Sequence, residues 1–192
     1  MNRTLAALVV ALTLPSAASA TLFTYQATLD GASEVPVNAS AGTGTATVIY
    51  DDVAETLHVS ASFSGLSGLV TAAHIHCCVS PLPAVQTAGV ATTVPTFPGF
   101  PSGVTSGSYS QLLDLTQTSS WNPSFITNHG GTPGTAEAAL ATALAGGTSY
   151  FNIHTNDFPG GEIRGFLTPE PSTALLVGAG IALLARRRRE AA

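Results

Sequence analysis

The side chains able to do chemistry in this chain gather in two short stretches, AHIHCC (73–78) and YFNIHTNDFPGGEIRGFL (150–167). In the first, Ala73 and Ile75 alternate with His74 and His76, so an extended chain throws both imidazoles to one side, about 7 Å apart. Two histidines so placed can chelate one ion, and a third from another strand would complete a copper or zinc triad. The second stretch supplies one. In YFNIHT, Phe151 and Ile153 form an apolar face and leave Asn152 and His154 opposite. In EIRGFL, Ile163, Gly165 and Leu167 point one way, and Glu162, Arg164 and Phe166 the other. If these strands are neighbours, one outer face collects His74, His76, His154, Glu162 and Arg164. Ligands of one ion at about 2.0–2.1 Å would bring the three imidazoles within about 4 Å of one another. Glu162 and Arg164 read either as a structural pair on the closing hairpin or, through the arginine, as an attractor of anions.

The only cysteines are the adjacent Cys77 and Cys78. Cys78 continues the parity of the two histidines, so a His, His, Cys set requires the strand to run that far. In an oxidising compartment the pair also fits a vicinal disulfide, beside intermolecular bridging, metal thiolates or free thiols. His58 falls on the wet face of a strand and His129 at a turn, neither with a partner signal. No nucleophile stands with an oriented base, so a non-enzymatic binding or scaffold module is the leading expectation. A copper or zinc metalloprotein, with oxidoreductase activity at the histidine site, is the rival.

The elements that must position these groups are mostly strands. LFTYQATL alternates cleanly, and TATVIY and LHVSASF flank Asp51-Asp52 as a hairpin with one polar face. LVTAAHIH, SYSQLLDL, SYFNIHT and EIRGFL add further strands. PSFITN and the segment from Thr135 through AEAALATALA read as two short helices closed by Gly146-Gly147. Residues 79–107, rich in Pro, Gly, Thr and Ser, form a loop long enough to be either functional or disordered. The expectation is one all-β domain, a sandwich or barrel with a helical insertion near 123–145.

The ends speak of export. Arg3, the apolar run Leu5–Leu14 and the Ala18-x-Ala20 end read as a signal peptide over 1–20. Pro169-Glu170-Pro171 precedes a short apolar segment and Arg186, Arg187, Arg188 and Arg189, which by charge stay cytoplasmic. This arrangement resembles the PEP-CTERM sorting signal of Gram-negative bacteria. The resemblance implies an exosortase-type processing enzyme, a transient membrane helix within 169–192, and a final place at the cell surface or in the extracellular matrix. Exopolysaccharide and surface proteins are then the expected partners. Without its ends the domain (21–168) keeps Arg164 against nine acidic residues, a net charge of −8 with no lysine. Such a surface repels phosphate backbones and argues against nucleic acid.

Taken in order, LDGASEVP (29–36), GTGTATVIYD (42–51), LHVSASFSGLSG (57–68), TAAHIH (71–76) and the block 150–167 resemble the CHRD domain. That resemblance implies an immunoglobulin-like β-barrel distantly similar to copper/zinc superoxide dismutases. It sets His74-Ile75-His76 beside their copper strand and Asn152-Ile153-His154 beside their later copper histidine. Cys77-Cys78 and the insert 79–107 depart from the pattern.

Overall fold

The computed structural model describes residues 22–79 and 87–170. Eight strands form one antiparallel sheet curled into a half-barrel. They are β1 (Leu22–Asp30), β2 (Thr43–Asp51), β3 (Thr56–Ser64), β4 (Val70–His76), β5 (Gly107–Asp114), β6 (Tyr150–Thr155), β7 (Ile163–Phe166) and the short β8 (Thr168–Pro169). Their spatial order is β4-β6-β7-β1-β2-β3-β5, with β8 also on β1. The alternation seen in the sequence sets the two faces. Tyr25, Ala27, Leu29, Ala46, Val48, Leu57, Val59, Ala61 and Phe63 are buried on the concave side. Between them stand Thr28, Thr45 and Ser62, paired in one row and exposed on the convex side.

Helices α1 (Pro123–Asn128) and α2 (Pro133–Ala145) place Phe125, Ala136, Leu140, Ala143 and Leu144 in the same core. Each starts where a polar residue caps it. The Asn122 side chain accepts from Ser124 N, and Thr132 and Thr135 cap each other reciprocally, with proline as the first helical residue in both. The insertion at 123–145 therefore stands as expected, and it supplies core rather than an appendage.

The described part of the long segment after β4, from residue 87 onward, is bonded against that strand. Cys77 N donates to Gly89 O, Ala91 N to Ile75 O, Phe97 N to Ala73 O and Gly103 N to Val70 O, at 2.9–3.2 Å. The outer edge of β4 would otherwise present unpaired backbone groups. The segment saturates that edge and lays a roof over its convex face. Among the described residues no helix is long and apolar enough to cross a membrane. The expected signal peptide and the apolar and arginine parts of the sorting signal lie outside the described residues; Pro169 and Glu170 end the structure beside β1, where Glu170 N donates to Thr24 O.

β7 crosses β1 closely at Gly165, where a Cβ would overlap the Thr28 carbonyl. Because the obstacle is backbone, it cannot swing away. Gly165→Ala is expected to cost about 3 kcal/mol or to prevent folding, read as a lowered denaturation midpoint in urea.

Candidate metal centre

The site is built by strand register. β4 and β6 pair His76 with Tyr150, His74 with Asn152 and Ala72 with His154; β6 and β7 then pair Asn152 with Arg164. Alternation puts His74, His76, Tyr150, Asn152, His154 and Arg164 on the convex face. His74, His76 and His154 meet there, with ring centroids 5.3–5.8 Å apart. One ring nitrogen from each lies within 4.8 Å of the others.

This stretch of the convex face is covered and not open to solvent. His74 and His76 are 6% and 8% exposed, and His154 is half-buried. The roof segment covers the first two, and the β6–β7 turn covers the third. Each cover also bonds its histidine. His74 Nε2 donates to Pro95 O (2.7 Å), His76 Nδ1 to Ala88 O (2.8 Å) and His154 Nδ1 to Pro159 O (3.0 Å). A carbonyl can only accept, so each bond places the ring proton on that nitrogen and leaves a lone pair on the other. The nitrogens so freed are His74 Nδ1, His76 Nε2 and His154 Nε2, all buried and without a partner among the described residues. Burial holds His74 and His76 down to about 4, against the pull of their carbonyls, and lowers His154 as well. Three neutral imidazoles, with tautomers set from behind, face one another. That is the donor set of a nitrogen-ligated transition metal.

The CHRD domain model matches residues 25–167. The chain belongs to the CHRD domain family. No curated protein and no solved structure matches it. In this CHRD domain the site is made by β4, β6 and the segments that roof them.

Other sequence-derived candidates lie elsewhere. Glu162 precedes β7, and its carboxylate is taken by Ser40 Oγ, Ser67 N, Gly68 N and Thr155 Oγ1, which hold it below the usual carboxylate range despite burial. It does not join the histidines. The carboxylate beside Arg164 is that of Glu34, at 4.0 Å, rather than that of Glu162. Arg164 is fully buried, donates to Ser33 O and lies 4.6 Å over the Tyr150 ring, so it presents no charge to an approaching anion. Cys77 and Cys78 are joined to each other, and β4 ends before them at His76. Cys78 lies beyond the strand and does not join the histidine cluster. His58 bonds Ser110 Oγ on the convex face, and His129 caps α1 on Phe125 O.

Sequence reasoning passed over two supporting residues. Tyr150 stacks flat on His76, with centroids 4.8 Å apart and planes 9° from parallel, and its hydroxyl contacts Ala88, which also holds the His76 proton. Its parity with Asn152 and His154 was readable in YFNIHT. Glu34, 4% exposed, is raised to about 7 by burial against the opposing pull of Arg164. Nothing in the spacing of LDGASEVP could have placed it beside β7.

The lowered histidines make the metal-free protein acid-sensitive. Their folded values lie below the unfolded value of 6.5, so the unfolded chain binds more protons between those limits. Their contribution is whole above pH 6.5 and is lost as pH falls toward 4, by up to about 1.4 kcal/mol per pH unit for each. Urea titrations across this range should show wild type losing stability relative to His76→Gln as pH falls.

Proposed function

We propose that this CHRD domain is an exported metal-binding module, holding one copper or zinc ion on His74 Nδ1, His76 Nε2 and His154 Nε2. The observation that carries this reading is the three orphaned lone pairs. Burying a polar nitrogen without a partner is costly, and here three such costs fall on one spot, where a single ion would relieve all of them. From the present spread of up to 4.8 Å, metal–nitrogen bonds of about 2.0–2.1 Å require each nitrogen to move inward by about 0.7–0.9 Å. That is within the reach of small side-chain rotations. The carbonyls of Pro95, Ala88 and Pro159 would orient the rings and keep their protons off the ligating atoms.

Binding of the ion is the activity proposed for this arrangement. The signal-like ends support a place outside the cytoplasm, at the surface or in the matrix, where such a module could also scaffold polysaccharide or proteins. With Arg164 buried, an oxidoreductase that steers anions by this arginine loses its support.

Metal content of the untagged chain, prepared from periplasm and measured by mass spectrometry, tests the reading. Copper or zinc in a one-to-one ratio, lost from both His74→Ala and His154→Ala with the fold retained by circular dichroism, is the expected result. A folded, metal-free wild type that takes up neither ion on titration would sink it.

A further inference from the structure

We infer that the ion this site selects is monovalent copper, in preference to any divalent ion; the inference rests on the three-histidine reading above. Its basis is charge. The three ligating groups are neutral, and among the described residues no carboxylate or thiolate joins them. The nearby candidates for that role stand outside the cluster. Glu34 stands at Arg164, Glu162 is held by four donors, and Asp157 accepts from Asn156 Nδ2 at 2.8 Å. Cys77 and Cys78 are bonded to each other.

The roof deepens this bias. From Val79 to Leu113 the chain carries no Asp, Glu, Lys, Arg or His. The segment that supplies Ala88 and Pro95 therefore brings dipoles and apolar surface to the site but no counter-charge. The cost of taking an ion out of water grows as the square of its charge, and in a buried site it is repaid only by opposite charge or by strong donors. Cuprous ion needs the smaller repayment. It is also content with three soft or borderline nitrogen donors, whereas zinc completes a tetrahedron and cupric ion a tetragonal set, each calling for a further ligand. A site with these properties suits retention or transfer of cuprous ion outside the cytoplasm.

Affinity competition separates this inference from the reading beneath it. The full chain is titrated anaerobically with cuprous ion against a chromophoric cuprous chelator, and in parallel with zinc against a zinc chelator. Wild type and His154→Gln are compared, the latter altering the least buried ligand. Cuprous binding tighter than zinc, and lost in His154→Gln, is expected. Zinc bound as tightly or more tightly, with the same dependence on His154, would overturn the charge argument and leave the three-histidine site standing. No binding of either ion to folded protein would remove both. Ala72→Asp tests the cause directly, because Ala72 pairs with His154 and alternates onto the same face. Supplying the missing negative charge should shift the preference toward zinc. An unchanged ratio in a folded variant that binds both ions would overturn the inference.

Discussion

The pairing of β4 with β6 is the constraint on which the rest of the molecule's chemistry depends. Setting Ala72 opposite His154 and His74 opposite Asn152 places three imidazoles from two distant segments on one patch of the convex face. A slip of one residue would turn His154 into the core and Ile153 out to the surface. The buried row Ala73, Ile75, Phe151 and Ile153 opposes any such slip, since each would lose its place in the core. The apolar face thus fixes the position of the polar one.

What turns a polar patch into a site is the cover laid over it. Convex faces of such sheets are ordinarily wet, and here the rows on β1 to β3 remain so. Over β4 and β6 the chain instead folds back. The same segment that pairs with the open edge of β4 also brings the Ala88 and Pro95 carbonyls to the histidines. Satisfying a strand edge and orienting two ligands are therefore one structural act. The vicinal cysteines sit where this segment departs from β4, with Cys77 N bonded to Gly89 O just beyond His76.

A second buried layer supports the first. Tyr150 lies between the His76 ring and the Arg164 guanidinium, and Arg164 stands against Glu34 from the loop after β1. The domain's only arginine is thus engaged in structure. Its charge is offset by one carboxylate, by a backbone carbonyl and by an aromatic face. Glu162, its neighbour two residues earlier, serves a different task. It gathers backbone and hydroxyl donors from the 67–68 turn, Ser40 and Thr155, and so ties the β3–β4 connection to the closing hairpin.

Much of this was legible in the residues alone. Period-two alternation gave the strands and the parity of the three histidines, because side-chain direction in a strand is a local property of the backbone. Proline and capping residues gave the helices for the same reason. Alternation gives only the direction of a side chain; that His74 and His76 lie buried on the outer face follows from the segment laid over them. Nor could spacing choose the partner of Arg164: Glu162 was near in sequence, whereas Glu34 is near in space across 130 residues of chain. Roofing, tautomer choice and charge balance each come from contacts between segments far apart in sequence, and only the tertiary structure decided them.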